Sequence, residues 1–367
     1  MRSPQFMAMS RMAGFGSERL LSSPPSFAKK MSSSIPPPML STEDPQLQRR
    51  YDAQIEIEEA GRHLTAISQS PDGRRLAVGG RNVLSILSLE GLTTHGGCLT
   101  GAEQSQLSRS RIKCTTQDVR WHPTQSDYIA TGSSDGKVTL WNLGALRGGN
   151  LPLQAWSSKE HEKSVWRIAW CLPHQGQEHL LLSGALDGTI RMWDFRGGFK
   201  SVMVHKNSQR EQVRDLRVCG GEPWKIAAGL EVAQEGAIVL WDVRSPDTYL
   251  MRIDEETAVH AVDWHPAHTD ILASGRQFRG LHSPGCIKVW DTSQNGRDIH
   301  PIAKIPTADG VSNLMWRPNF RTQIACTYLN SVSQLDVWDT AGHASALAGL
   351  PLASCTGHTE PVTDLVW

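Results

Sequence analysis

Gly188-Thr189-Ile190-Arg191-Met192-Trp193-Asp194 opens at a turn glycine, alternates apolar with polar residues, and ends on an indole followed by an aspartate. That alternation is the period of a half-buried β-strand. Three further stretches repeat it: Gly136-Lys137-Val138-Thr139-Leu140-Trp141, Gly236-Ala237-Ile238-Val239-Leu240-Trp241 and Gly285-Cys286-Ile287-Lys288-Val289-Trp290. With Trp338 these tryptophans form a ladder with steps of 52, 48, 49 and 48 residues, and Trp193, Trp241, Trp290 and Trp338 each precede an aspartate. A second ladder, Trp121, Trp170, Trp264, Trp316 and Trp367, interleaves with the first. Periods of this size with a terminal Trp-Asp mark the blades of a β-propeller. Each blade is four antiparallel strands, and the stretches above read as third strands, whose indoles bury roughly 150 to 250 Å² and require an acceptor for the ring N–H.

First strands are expected near Leu64 to Ser68, Thr115 to Trp121, Ser164 to Trp170, Gln212 to Val218, Val259 to Trp264 and Gly310 to Trp316. A seventh opens at Gly357-His358 and runs through Val362 to Trp367. The expected fold is therefore all-β: a propeller of six complete blades plus the first strand of a seventh, spanning residues 51–367, behind a disordered N-terminal arm over residues 1–50. Gln54-Ile55-Glu56-Ile57-Glu58 alternates like a strand and is expected to complete the last blade. A seventh blade holding only its innermost strand gives that strand no neighbour, so the last blade is expected to be truncated, with exposed edges beside the gap.

The arm is rich in serine, proline and methionine and shows no sustained apolar period, the composition of a chain that cannot bury a core. Its first 40 residues carry five basic groups and one acid, as organelle transit peptides do, but Pro24-Pro25 and Pro36-Pro37-Pro38 interrupt any amphipathic helix. A disordered tail is the reading.

Composition is that of a globular chain, 39% apolar and 20% charged, and no apolar run reaches the ~20 residues of a membrane-spanning helix. Thirty-seven basic and thirty-seven acidic residues leave no global field to attract nucleic acid. The seven cysteines form no Cys-x-x-Cys pair and no zinc-type cluster, and read as reduced thiols. Gly132-Ser133-Ser134-Asp135-Gly136 has the spacing of a hydrolase nucleophile elbow, but a strand follows it where that motif needs a helix. His122 and His265 lie in Trp-His-Pro turns and read as turn formers. No phosphate-cradling loop or His-Glu-x-x-His occurs. The expectation is a non-catalytic interaction scaffold without cofactor, metal, nucleic acid or small-molecule substrate.

The repeat resembles the WD40 blade, in which histidine, serine, aspartate and tryptophan tie the strands together. His161, Ser183, Asp187 and Trp193 stand at the matching spacings. Thr131, Asp135 and Trp141 form a partial set without a histidine, Glu235 stands where aspartate is usual, and the blades ending at Trp290 and Trp338 have no acidic turn residue. Those blades are expected to rely more on apolar packing, and Arg276 to Pro284 to form an insertion on a propeller face.

More specific runs are Asp118-Val119-Arg120-Trp121-His122-Pro123, Trp141-Asn142-Leu143-Gly144, Leu240-Trp241-Asp242-Val243-Arg244-Ser245-Pro246-Asp247, Ala261-Val262-Asp263-Trp264-His265-Pro266 and Leu314-Met315-Trp316-Arg317-Pro318. Together, over residues 55–367, they resemble the propeller of the SEA/GATOR subunit family known in fungi as restriction of telomere capping protein 1. That resemblance implies a WD-repeat scaffold regulating TOR complex 1 signalling in response to amino acids. Its implied partners are other SEA/GATOR subunits and nutrient-sensing proteins, at the vacuolar or lysosomal membrane, with any membrane association peripheral and through the complex. The family's helical solenoid and zinc-binding RING-like domain have no counterpart in these residues.

Two alternatives stand beside it. Trp193-Asp194-Phe195-Arg196 and Trp241-Asp242-Val243-Arg244 resemble the Trp-Asp-x-Arg pattern of cullin-4 ubiquitin-ligase substrate receptors, which makes Arg196 and Arg244 candidate partner-binding residues. A generic propeller adaptor is the other. Arg109 to Lys113 reads as a basic loop that could meet lipid or protein.

Overall fold

The computed structural model describes residues 6–7, 54–55, 63–89, 93–95, 98–100, 106–144, 153–171, 179–195, 200–206, 211–233, 235–245, 247–277, 285–294, 299–329, 333–341, 350–356, 358 and 361–367. They form an all-β ring of sheets. Four sheets have four antiparallel strands each. One holds Val165–Trp170, Leu180–Ala185, Thr189–Asp194 and Lys200–Lys206; the next holds Gln212–Val218, Lys225–Val232, Glu235–Asp242 and Tyr249–Glu255. Then come Val259–Trp264, Ile271–Gln277, Gly285–Asp291 and Ala303–Thr307, followed by Val311–Trp316, Gln323–Tyr328, Leu335–Asp339 and Ala353–Cys355.

The sheet that precedes them has six strands, in the order Leu153–Ser158, Val138–Asn142, Tyr128–Ser133, Gln106–Trp121, Arg75–Ser88 and Leu64–Gln69. Six separate blades were expected, and among the described residues five sheets of four or more strands are found, beside two two-stranded pairs. The reason is covalent continuity. Gln106–Trp121 pairs with Arg75–Ser88 through its first part and with Tyr128–Ser133 through its last, so the first two sequence repeats share one unbroken strand. Arg109 to Lys113 consequently lies in a strand and is not a loop.

The first strand of a seventh blade is not formed either. Residues 361–367 make one isolated bridge at Val366 and no ladder. The segment is nonetheless tied to both neighbours. Ile67 N–H donates to Asp364 Oδ2 (3.1 Å) and Thr363 Oγ1 to Leu64 O (3.2 Å), while Val366 packs on the Leu64, Ile67 and Leu76 cluster. On the other side Leu365 and Trp367 pack with Ala325, Leu335 and Val337. Gln54–Ile55 does not complete the last blade; it pairs with Phe6–Met7. The rest of the expected arm lies outside the described residues, as do positions 278–284 of the expected insertion, whereas Arg276 and Gln277 belong to a strand.

Two repeated local features hold the sheets together. In the second strand of every repeat but the last a glycine admits the first strand of the next repeat: a Cβ on Gly184 would meet Val213 Cγ1 at 2.5 Å, and one on Gly275 would meet Val311 Cγ1 at 2.4 Å. Each first strand also carries a bulge near its start, between Leu64/Ala66, Thr116/Asp118, Val165/Arg167, Val213/Asp215, Val259/Ala261 and Val311/Asn313. A bulge bends its strand and re-aims the side chain that follows. That sets up the centre of the ring.

Candidate functional site: blade networks, axis and rim

The four side chains singled out in the best-formed repeat converge. Trp193 Nε1 donates to Ser183 Oγ (2.8 Å), His161 Nε2 lies 2.7 Å from the same hydroxyl, and His161 Nδ1 lies 3.2 Å from Asp187 Oδ2 and 2.9 Å from Thr189 Oγ1. Burial alone would raise the Asp187 pKa, but hydrogen bonds from His161 and Thr189 outweigh it and hold the carboxyl below the usual range. Trp193 and Ser183 are fully buried, so these contacts fix polar groups that water cannot reach. In the preceding repeat Trp141 Nε1 donates to Thr131 Oγ1 (3.0 Å), and Asp135 accepts the Lys137 N–H (3.4 Å) and pairs with its ammonium at 3.2 Å. Glu235 is exposed.

In the repeats ending at Trp290 and Trp338, buried polar contacts stand beside the apolar packing. Buried Glu255 accepts from Lys288 Nζ at 2.8 and 2.9 Å and from Arg276 Nη1 at 2.9 Å, and Trp290 Nε1 donates to Ser274 Oγ at 2.8 Å. In the last repeat buried Tyr328 donates to Asp336, which also accepts from Gln334 Nε2 at 3.1 Å. Ion pairs and a phenol thus replace the missing turn carboxylate.

The axis carries charge that sequence reading did not anticipate. Asp118, Arg167, Asp215 and Asn313 follow the bulges of their first strands, and Arg120, Arg217 and Asp263 lie two residues further along. Asp364 joins them from the last segment. Arg167 reaches Asp215 (2.9 Å), Asp118 (3.8 Å) and Asp364 (4.0 Å), while Arg120 reaches Asp118 (3.1 Å) and Asp364 (3.7 Å). Arg217 lies 3.7 Å from Asp215 and 3.9 Å from Asp263, and donates to Asn313 Oδ1 at 3.4 Å. Residues from sheets that are not neighbours meet in this way only at the ring's centre.

The carboxylates also solve a backbone problem. An innermost strand has an unpaired edge, and its buried N–H groups need acceptors. Asp118 Oδ2 takes the Ile168 N–H (2.9 Å), Asp215 Oδ2 that of Val262 (2.9 Å), Asp263 Oδ2 that of Trp316 (2.8 Å) and Asp364 Oδ2 that of Ile67 (3.1 Å). Each axial aspartate thereby stitches its repeat to the next. Burial would lower the Arg167 value, but the charges of Asp215, Asp118 and Asp364 outweigh it and raise it beyond its already high level.

At the rim, Arg244 is exposed but held within its own sheet. Its guanidinium donates to Asp242 at 2.6 and 2.9 Å, and its Cζ stands 4.6 Å from the Trp224 ring centre. Nearby Tyr249 and Leu250 are exposed apolar side chains. Arg196 lies outside the described residues. The turn histidines act as turn formers: His265 Nδ1 accepts the N–H groups of Ala267 (3.0 Å) and His268 (3.1 Å), and its Nε2–H donates to Arg321 O (2.8 Å). Burial holds His265 down at about 4, so it is neutral in this role. Ser133 donates to Lys137 O (3.0 Å) and sits in a blade turn closed by Gly136 at φ 85°.

This geometry meets the comparisons with known proteins. The family described as "WD domain, G-beta repeat" matches residues 110–142 and 154–194. The GATOR2 complex protein WDR24 of Danio rerio is 29% identical over 305 residues, 82% of this chain and 35% of the relative; that of Dictyostelium discoideum is 30% identical over 314 residues, 84% and 28%. The chain carries WD40 repeats. It is similar to WDR24 proteins and spans about a third of the length of these curated relatives. A crystal structure of the mitotic checkpoint complex contains a chain that aligns with TM-score 0.61 at 18% identity, covering 82% of this chain and 81% of that one, a likeness of WD40 fold alone.

Proposed function

We propose that this WD40 chain is a non-catalytic scaffold that takes part in a GATOR-type assembly and regulates TOR complex 1 signalling in response to amino acids. The observation that carries the reading is similarity to WDR24 proteins across about four-fifths of the chain. The chemistry agrees. The polar clusters described above are spent on joining strands and repeats, which is what a rigid interaction platform requires. Its partners on this reading are other GATOR subunits and nutrient-sensing proteins, and its place is peripheral at the vacuolar or lysosomal surface through the complex. In repeat terms the first sheet holds two fused repeats, giving six in all, with Val362 to Trp367 at the position of a seventh first strand.

The test is affinity purification of the tagged chain from cells, with mass spectrometry of what accompanies it. Recovery of GATOR2 subunits above a scrambled-propeller control is the expected result. Their absence, with cullin-4 adaptor recovered instead, would replace this reading by the ubiquitin-ligase receptor. The geometry does not favour that second reading, because Arg244 is already held by Asp242 and Trp224.

A further inference from the structure

We propose that the seam between the sheet beginning at Val259 and the sheet beginning at Val311 is an acid-responsive latch, in which a proton taken up by Asp263 tightens the ring. Among the described residues the axial network holds four carboxylates, Asp118, Asp215, Asp263 and Asp364, against three guanidiniums, Arg120, Arg167 and Arg217. One negative charge is left without a cation.

Burial pushes two of the four carboxyls up, Asp118 and Asp263, and the distance to a cation separates them. Asp118 has Arg120 at 3.1 Å and accepts two backbone N–H groups, from Val119 and Ile168. Asp215 has Arg167 at 2.9 Å and accepts from Leu216 and Val262. Asp364 accepts from Ile67, Leu365 and the Asn313 amide, with Arg120 and Arg167 within 4.0 Å. Asp263 accepts the N–H groups of Trp316, at 2.8 Å, and of Trp264, but its nearest cation is the most distant of the four: Arg217 Nε at 3.9 Å, a guanidinium that also faces Asp215. The other groups facing it are Asp215 from the preceding sheet and the neutral Trp316 strand.

Asp263 is also the axial carboxylate that a proton can reach, with 17% of its side chain exposed against none for the other three. Burial is the main cause that pushes its carboxyl up to about 6, with the Asp215 charge adding to it, from an ordinary value of 3.8. A carboxyl raised in the folded state stabilises that state when protonated. Its contribution is therefore gained as pH falls through about 6 and lost as pH rises through it.

The experiment compares the full chain with Asp263→Asn and Asp215→Asn in denaturant titrations at pH 7.5 and 5.5 and fixed ionic strength. Wild type is expected to gain about fourfold in folding equilibrium over Asp263→Asn between the two values. Asp215→Asn removes the charge that helps raise Asp263 and should shrink the gain that wild type shows over the same range. If Asp263→Asn does not fold, the wild type still decides: the Asp263 carboxyl carbon, followed by carbon-13 NMR in the folded chain, should take up its proton as pH falls through about 6, a readout that the neutral buried His265 does not mask. A difference that is constant with pH, an Asp263 carboxyl that stays charged down to pH 5, or a gain that follows Asp118→Asn instead overturns the proposal.

Discussion

Asp215→Ala should be among the most damaging single substitutions in this chain. The carboxylate is fully buried, accepts the N–H groups of Leu216 and Val262 at 2.9 Å, and pairs with Arg167 Nε at 2.9 Å. Truncation leaves a buried guanidinium short of its nearest counter-ion, which costs about 3 to 5 kcal/mol. The orphaned Val262 N–H lies within the same contact, so its penalty overlaps that figure and is not added to it. With an unfolding entropy near 2.1 cal/mol/K per residue over ~300 residues, the melting temperature should fall by about 5 to 8 °C. Differential scanning calorimetry of wild type, Asp215→Ala and Asp254→Ala measures it. Asp254 pairs with Arg252 at 2.7 Å but is 76% exposed, so its loss should move the melting temperature by no more than about 1 or 2 °C. Equal, small shifts for both variants would refute the claim that the axial carboxylates hold the repeats together.

Ser183→Ala removes the hydroxyl between Trp193 Nε1 and His161 Nε2, and should cost about 1 to 3 kcal/mol, with hydrogen exchange rising first in the sheet from Val165 to Lys206. Gly275→Ala drives a methyl to 2.4 Å from Val311 Cγ1 and should destabilise by about 1 to 3 kcal/mol in denaturant titration; Val311→Ala in the same background should recover part of that. In acid, Asp187 and Asp215 act in the opposite sense to Asp263. Their folded values lie below 3.8, so the stability they contribute is present above about pH 4 and lost as pH falls through the folded values, and a melting curve recorded from pH 5 to 2 should drop steeply.

Tryptophan spacing and strand alternation were enough to read the ring, the third strands and the His161, Ser183, Asp187 and Trp193 convergence, because each is a local pattern repeated at a fixed interval. The axial network was not legible for a local reason. Simple alternation treats Asp118 and Asp215 as polar positions of half-buried strands, but a bulge one residue earlier turns each toward the centre, where several strands converge. The Glu255, Arg276 and Lys288 cluster was hidden because its members come from three strands whose register depends on the length of an intervening insertion. The fusion of the first two repeats was missed because nothing between Gln106 and Trp121 interrupts the strand, although the repeat boundary falls inside it.

The central claim is that this chain serves a GATOR-type assembly through its propeller. The most direct measurement is co-purification of its tagged form, and of an Arg167→Ala variant with a loosened axis, with GATOR2 subunits from the same cells. The account predicts specific recovery by the wild type and reduced recovery by the variant. Recovery no better than that of an unrelated WD40 propeller would contradict it.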